Sequence, residues 1–327
     1  MAASRQRWQA PRFEPLFRNP HWQTLASHLW PRKFDTRRFP VEERIYPTEP
    51  GIQVLVKHQR PEGVARGQLV LVHGMESSAE AGYMRSLAQA ALIRQFRVAR
   101  FQLRSCGGTE HLSETFYHAG LTVDLRTVLE AVREEIGQPA WLVGFSLGAN
   151  MVLKLAGELG DLASRWIAGA CAISTPIDLL ACASRLGEPR NSFYERRFLR
   201  RMRRRLEALR HQSADASRQI GSVRELDDTY TAPSFGFSSA EHYYTTQSSR
   251  NFLSQIRVPT LLLQAKDDSL IPFEAFSDPA IQANPHISLA ATDHGGHVAF
   301  LARGSNRFWI DQTVLEWIEW QIAQQQT

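Results

Sequence analysis

The chain has 327 residues, 43% of them apolar, and a formal net charge of +5 at pH 7. A chain of this size can bury a large core, and α/β proteins of this length often form one domain. We therefore predict a single domain over residues 1–327 that contains one insertion. The three cysteines show neither CxxC spacing nor an even count, which argues against a secreted disulfide framework and predicts free thiols.

The N-terminal residues lack the basic start, apolar run and small-residue cleavage site of a signal peptide. No uncharged stretch reaches about 18 residues, the length that a membrane-spanning helix needs. A soluble, cytoplasmic protein is therefore expected.

The positive charge is concentrated in residues 195–210, which hold eight arginines and two glutamates and so contribute +6, leaving −1 for the rest. Nothing else resembles a nucleic-acid-binding module, so we predict no nucleic-acid partner. Apolar residues form a stripe along this basic helix: Phe198, Leu199, Met202, Leu206 and Leu209. Helices of this kind can lie on anionic membranes, so weak association with anionic lipid is one prediction. A solvated charged face is the competing interpretation.

Short apolar runs alternate with longer helical patterns, which is typical of βαβ units around a parallel sheet. Four runs are predicted to be strands covered on both faces: QLVLVHG (68–74), FRVARFQL (96–103), AWLVGF (140–145) and TLLLQA (260–265). The carboxyl ends of parallel strands meet at one crevice, where sites form. The predicted fold is α/β and doubly wound, a mostly parallel central sheet flanked by helices, with its functional site in that crevice.

About 85 residues separate the predicted strand IAGACAIS (167–174) from the strand at 260–265, and they read as helical and loop-rich. Usual αβ connections have roughly 2 to 6 residues. We therefore predict a helical cap insertion over approximately residues 176–255, above the crevice. A last helix is predicted over roughly 306–323 from apolar residues at near-helical spacing.

The most specific motif is Gly144-Phe145-Ser146-Leu147-Gly148, directly after the strand AWLV and directly before the helical run ANMVLKLAGELG. A nucleophile elbow requires this strand–turn–helix context and holds its serine in a strained turn. Larger side chains at 144 and 148 would collide with the neighbouring strand and helix, and glycines remove that collision. GxSxG alone is a weak signal, but in this context it predicts Ser146 as a nucleophile.

A serine hydroxyl needs a base, and the base needs an orienting carboxylate. Asp267 and Asp268 follow the predicted strand TLLLQA, and Asp268 is favoured by its Asp-x-x-Ile-Pro spacing. His294 and His297 lie in ATDHGGHVAF, and His297 is favoured because the glycine pair before it lets the loop approach the serine. The predicted triad is therefore Ser146, Asp268 and His297, with Asp267 and His294 left as alternatives.

The tetrahedral intermediate of acyl transfer needs donors for its oxyanion. His73-Gly74-Met75 follow the first predicted strand, where folds with a nucleophile elbow place that donor loop. We predict the backbone N–H groups of Met75 and Leu147 as the two donors and a structural role for His73. Cys106, in the glycine-rich loop after the second strand, is also interpreted as structural.

Taken together, these residues resemble the YheT-like branch of the α/β-hydrolase superfamily, also called the AB hydrolase type-four family. The similarity runs almost from end to end. The matching stretches are FRNPHWQTL (17–25), LVHGMESS (71–78), RSCGGTEHLSETFYHAGLTVDL (104–125), GFSLGAN (144–150), RELDDTYTAPSFGFSSAEHYY (224–244), KDDSLIP (266–272) and HGGHVAF (294–300). The resemblance implies the α/β-hydrolase fold and a carboxylesterase acting on short- or medium-chain acyl esters, with a charge-relay system at Ser146, Asp268 and His297.

The predicted activity is hydrolysis of a small-molecule acyl ester through an acyl-enzyme. We infer no cofactor and no metal, because no metal-ligand spacing and no phosphate-binding glycine loop occur. No obligate protein partner is inferred. An acyltransferase of the same fold and a non-catalytic lipid-surface binding protein are the alternatives. Within the predicted cap, Asp227, Asp228, Phe237 and Tyr243 are expected either to shape the substrate pocket or to contribute to ordinary packing.

Overall fold

The computed structural model describes residues 8–209 and 219–326. Within these residues, eight β-strands form one sheet. They are Glu42–Glu49 (β1), Ile52–Gln59 (β2), Gly67–Val72 (β3), Phe96–Phe101 (β4), Ala140–Phe145 (β5), Ile167–Ile173 (β6), Thr260–Ala265 (β7) and Ile287–Thr292 (β8). The five strands predicted from the sequence are β3 to β7, and all are confirmed.

The strand order is β1-β2-β4-β3-β5-β6-β7-β8. Strands β3 to β8 run parallel to one another, whereas β1 and β2 form an antiparallel hairpin that joins the sheet through β4. Every residue of β3, β5 and β7 is buried. The α/β fold with a mostly parallel sheet is therefore confirmed, and the ends of the central strands meet along one edge of the sheet.

Helices cover both faces of this sheet. The α-helices are Pro20–Leu29 (α1), Gly82–Ile93 (α2), Val123–Ile136 (α3), Leu147–Leu159 (α4), Leu179–Leu186 (α5), Ser192–Ala208 (α6), Val223–Leu226 (α7), Ala232–Ser234 (α8), Ala240–Gln247 (α9), Pro279–Ala283 (α10) and Trp309–Gln326 (α11). A π-helical turn, Asp227–Thr231, links α7 to α8. Helix α11 begins three residues later than predicted, because Gly304 has a φ of 81° and Phe308 pairs with Leu301 in a β-bridge.

Two apolar clusters lie on opposite sides of the sheet, and side chains of β3 alternate between them. Val70 and Val72 join α3 and α4 in one cluster, whereas Leu69 and Leu71 join α2 and α11 in the other. The burial of both faces predicted for the central strands is thus confirmed. The three cysteines, Cys106, Cys171 and Cys182, are free thiols, as predicted.

The described chain between β6 and β7 contains α5 to α9 and no strand. The division into a domain and a cap over 176–255 stays a prediction. On α6, Leu199, Met202 and Leu206 are buried and pack in the cluster that contains α3 and α4. These three residues of the stripe therefore face the protein, whereas Phe198 and Leu209 are half-buried. Association with anionic lipid stays a prediction. Arg210, at the end of the basic segment, lies outside the described residues.

No helix in the described ranges is long and apolar enough to cross a membrane. A cytoplasmic location stays a prediction.

Candidate active site

Ser146 stands at the sharp turn between β5 and α4. Its backbone has φ 52° and ψ −123°, a conformation that non-glycine residues rarely adopt. A Cβ at Gly144 would lie 2.5 Å from the carbonyl oxygen of Gly148, and a Cβ at Gly148 would lie 2.5 Å from the carbonyl oxygens of Val72 and His73. The strain and the close approaches predicted for this turn are therefore confirmed.

His297 lies in the loop after β8, and contacts from two other elements hold that loop. The backbone N–H of His297 donates to Oγ1 of Thr24 in α1 over 2.9 Å. The next residue, Val298, has a φ of 53°, which is rare for a β-branched residue, and its N–H donates to Ser174 Oγ over 3.0 Å. Gly296 has a φ of 61°, and a Cβ there would lie 2.7 Å from Thr24 Oγ1. This glycine permits the approach to α1 that fixes the histidine.

Ser146, His297 and Asp268 form a continuous chain of hydrogen bonds. Nε2 of His297 lies 2.9 Å from Ser146 Oγ, and Nδ1 lies 2.9 Å from Oδ2 and 3.2 Å from Oδ1 of Asp268. The buried carboxylate also accepts the backbone N–H groups of Leu270 (2.9 Å) and Ile271 (3.2 Å). With Nδ1 donating to the carboxylate, Nε2 can accept the serine proton. The arrangement can therefore activate a serine hydroxyl.

Asp267 and His294, the alternatives left open by the sequence, pair with each other. Nδ1 of His294 lies 3.1 Å from Oδ2 of Asp267. Oδ1 of Asp267 accepts the Gly296 N–H over 3.0 Å, and burial raises the pKa of this carboxyl. Asp267 thus holds the loop just before His297, and Asp268 is the aspartate that contacts the imidazole next to Ser146.

The loop after β3 carries the predicted donor Met75, and α4 begins with the second predicted donor, Leu147. Neither backbone N–H donates to a protein acceptor in the described ranges. The N–H groups just before and just after Met75 donate to the hydroxyls of Tyr83 (3.1 Å) and Tyr117 (2.8 Å). The loop is therefore fixed on both sides of a backbone N–H that donates to no protein group in the described ranges.

His73 supports this loop from inside the protein. It is fully buried, its Nδ1 donates to the Gly74 carbonyl over 2.8 Å, and its Nε2 accepts from the amide of Gln102 (2.9 Å) and the N–H of Leu103 (3.2 Å). Burial lowers the pKa of His73 to about 4, so its imidazole is neutral at pH 7. These contacts support the structural interpretation of His73.

A cavity of about 550 Å³ opens beside Ser146, and Met75 and His297 also line it. Residues 105–108 form part of its wall and include Cys106. Burial raises the pKa of the Cys106 thiol to about 12, so it stays protonated at neutral pH and is a poor nucleophile. Arginines contribute another part of the wall: Arg32, Arg197, Arg201, Arg204 and Arg205.

Four residues of the predicted cap do not line this cavity: Asp227, Asp228, Phe237 and Tyr243. Asp227 accepts the hydroxyls of Thr231 and Tyr244, each over 2.6 Å. The hydroxyl of Tyr243 accepts the Ala119 N–H over 2.8 Å. Of the two roles expected for these residues, the contacts support packing.

Helices α1 and α6 contribute to this site in ways that were not predicted from the sequence. Thr24 holds the His297 loop, and the side chain of Gln23 donates to the Leu301 carbonyl over 2.7 Å. Both residues lie in the stretch FRNPHWQTL, so the family resemblance contained a signal for them. The arginines of α6 were interpreted as a surface facing solvent or lipid, whereas four of them line the cavity.

Comparison with known families supports the architecture described above. A family model described as the alpha/beta hydrolase family matches residues 69–308, a range that includes all three residues of the Ser146–His297–Asp268 chain. The YheT protein of Escherichia coli is 29% identical over 314 residues, which cover 92% of this chain and 91% of that protein.

Two relatives from Saccharomyces cerevisiae carry names that state an activity. One, a monoacylglycerol lipase, is 28% identical over 78% of this chain and 59% of its own length. The other, medium-chain fatty acid ethyl ester synthase/esterase 2, is 27% identical over 76% of this chain and 61% of its own length. This chain thus spans about three fifths of the two yeast proteins.

Among solved structures, the Pyrococcus furiosus esterase Pf2001 superposes with a TM-score of 0.59. The alignment covers 87% of this chain and 96% of that one, at 15% sequence identity. At this identity the likeness supports the fold alone.

Proposed function

This chain belongs to the alpha/beta hydrolase family, in its YheT-like branch, and from that premise we propose that it is a serine carboxylesterase of short- to medium-chain acyl esters. The observation that carries the proposal is the hydrogen-bond chain from Asp268 through His297 to Ser146. Relatives named lipase and esterase support ester hydrolysis in general.

In the proposed mechanism, Ser146 Oγ attacks the ester carbonyl carbon while His297 Nε2 takes the hydroxyl proton. The N–H groups of Met75 and Leu147 donate to the oxyanion of the tetrahedral intermediate. The intermediate collapses to an acyl-enzyme, and the imidazolium returns the proton to the departing alkoxide. Water then attacks the acyl carbon by the same route, releasing the acid and restoring Ser146. Asp268 keeps the imidazole oriented and stabilises its positive charge.

The test is hydrolysis of 4-nitrophenyl esters of increasing acyl length by the wild type and by Ser146→Ala, with fluorophosphonate labelling in parallel. We expect the variant to lose labelling and at least about 10⁴-fold in kcat, because no other nucleophile replaces the serine. The matched control is Ser184→Ala, which removes an exposed hydroxyl on α5 whose one hydrogen bond within residues 8–209 and 219–326 is to the carbonyl of Leu180. Labelling that persists in Ser146→Ala, or a wild type inactive in both assays, contradicts the proposal.

The alternative is transfer of the acyl group to an alcohol other than water. It is favoured by one observation, the relative whose name joins an ester synthase to an esterase. Both reactions use the same acyl-enzyme, and they differ only in the acceptor. Adding ethanol to the assay and measuring ethyl ester against free acid distinguishes them. Free acid as the main product at low ethanol concentration supports the esterase.

A further inference from the structure

The cavity beside Ser146 carries more positive than negative charge. Five arginines and two glutamates, Glu76 and Glu110, line it. Ligand pockets are usually lined by apolar groups with a few placed polar ones, and a neutral acyl ester needs no cationic wall. The excess of arginines therefore requires a separate explanation.

One of these arginines is already neutralised. Arg205 is buried and forms a salt bridge with Glu76, whose carboxylate also accepts the Tyr117 hydroxyl over 3.0 Å. The guanidinium of Arg205 also lies 4.6 Å from the centre of the Tyr117 ring. Arg201 donates to the backbone carbonyl of Glu76 over 2.5 Å. These contacts fix the wall around Glu76 and leave other arginines to meet a ligand.

Arg197 and Arg32 are the cavity arginines that combine partial burial with the lack of a salt bridge inside the described ranges. Desolvation, and then the charge of Arg201, lower the pKa of Arg197. Desolvation also lowers the pKa of Arg32, whereas the charge of Asp311 raises it. One Nη of Arg32 donates to Ser27 Oγ over 3.2 Å, and its Nε is buried without a hydrogen-bond partner. Binding of an anion stabilises a guanidinium that is partly desolvated and has no salt bridge.

The two arginines share the cavity wall with the imidazole of His28. His28 is exposed at the edge of the cavity, and desolvation of its ring together with the charges of Arg197 and Arg32 lowers its pKa. His28 is therefore neutral at pH 7 and adds no charge of its own. Arg197, Arg32 and His297 line the same cavity as His28.

We propose that this site takes acyl esters that carry an anionic group, a carboxylate or a phosphate, and that Arg197, with Arg32, binds this group. The inference rests on the proposed function, since it names the substrate class of the same Ser146. The planar guanidinium fork matches both carboxylate and phosphate oxygens. Binding at Arg197 therefore positions the ester carbonyl for attack, and the neutral analogue lacks that contact.

The test compares kcat/KM within two matched pairs of esters. The first pair, 4-nitrophenyl hexanoate and mono-4-nitrophenyl adipate, places a carboxylate on the acyl arm. The second pair, monobutyrylglycerol and butyrylglycerol 3-phosphate, places a phosphate on the alcohol arm. We expect wild type to prefer the anionic member of at least one pair by about tenfold, the size of one charge-assisted hydrogen bond. The pair that shows the preference identifies the anion.

Arg197→Gln should reduce this preference about tenfold, and Arg197→Lys should retain part of it because the charge remains. The control is Arg200→Gln, on the same helix but exposed and outside the cavity, which should change the preference by less than about twofold. Raising the ionic strength should weaken the wild-type preference without slowing the neutral esters, which tests the proposal even where Arg197→Gln fails to fold.

Two outcomes overturn the inference and leave the esterase intact: Ser146-dependent hydrolysis that favours both neutral esters, or a preference that neither Arg197→Gln nor salt changes. Hydrolysis of none of the four esters, or hydrolysis that persists in Ser146→Ala, is a failure of the proposed function itself and removes the inference with it.

Discussion

Asp268 controls the orientation of the imidazole that contacts Ser146. Its carboxylate accepts from Nδ1 of His297 and from the N–H groups of Leu270 and Ile271, so the turn after β7 fixes its position. Asp267, one residue earlier, contacts the loop before His297 instead. These neighbouring carboxylates therefore have different contacts, because the turn after β7 directs Asp268 to His297 and Asp267 to the loop before it.

We predict that Asp268→Asn lowers kcat about 10⁴-fold for a 4-nitrophenyl ester, because the amide favours the wrong imidazole tautomer. Asp267→Asn should cost less than about tenfold, since its remaining oxygen can still accept the Gly296 N–H. The measurement is steady-state kinetics of both variants, with urea unfolding to check that both are folded. Equal losses, or a larger loss in Asp267→Asn, would show that the orienting carboxylate is misassigned.

At the residue scale, the local motif predicted where Ser146 lies, because the glycines of an elbow follow directly from its sterics. The partners Asp268 and His297 were chosen between nearby candidates by spacing and by the glycine pair before His297, and in the structure Asp268 contacts His297, which contacts Ser146. Thr24 could not be predicted from residues alone. It lies 273 positions from His297 in the chain, and no periodicity links α1 to a loop after the last strand.

At the scale of elements, the central strands were predictable because both of their faces are buried, which produces continuous apolar runs. The edge strands β1 and β8, and β2 beside β1, were not predicted. β1 has no buried residue and includes Pro47, which an edge strand tolerates because its outer N–H groups need no partner. β8 has one buried residue of six, so no apolar run marks it.

Helix α6 is amphipathic, and its apolar and basic residues contact different parts of the protein. Its apolar residues pack on the core, and several of its arginines line the cavity. We predict that Leu206→Ala lowers the free energy of unfolding by about 3 kcal/mol, because a fully buried leucine leaves a cavity when truncated. Phe193→Ala, at an exposed position of the same helix, should change it by less than about 0.5 kcal/mol.

Urea unfolding of both variants is the measurement, with flotation on anionic vesicles in parallel. The buried stripe leads us to expect no change in vesicle association for Leu206→Ala. Reduced association with unchanged stability would restore the lipid-surface interpretation of this helix.

For the whole molecule, two sets of titratable groups with opposite pKa shifts set the dependence of stability on pH. They are histidines whose pKa is lowered and aspartates whose pKa is raised. Burial lowers the pKa of His58 and His73 to about 4 and that of His118 to about 3, below the unfolded value of about 6.5. The unfolded chain therefore binds more protons at these sites, and their contribution to stability is lost as the pH falls from about 6.5 towards 4. Asp227 and Asp311 act the other way, because burial raises the pKa of each to about 6.

The predicted consequence concerns Asp227, which is buried and accepts the hydroxyls of Thr231 and Tyr244. Its native pKa exceeds the unfolded value of about 3.8, so the folded protein loses stability as the pH rises through about 6. An asparagine side chain at position 227 does not titrate in this pH range. We therefore expect the free energy of unfolding of Asp227→Asn to rise by up to about 3 kcal/mol relative to that of wild type between pH 4 and pH 7, at about 1.4 kcal/mol per pKa unit.

The measurement of this effect is the urea midpoint and slope of wild type and Asp227→Asn at several pH values across that interval. Asp228→Asn is the matched control, since it removes the same charge at the exposed neighbouring position. Comparing each variant with wild type at the same pH cancels the histidine contributions, which are common to all three proteins. A difference between Asp227→Asn and wild type that stays constant with pH would mean that the Asp227 carboxyl titrates alike in the folded and unfolded chain. Burial in the cluster around α7 to α9 would then not be what sets its proton affinity.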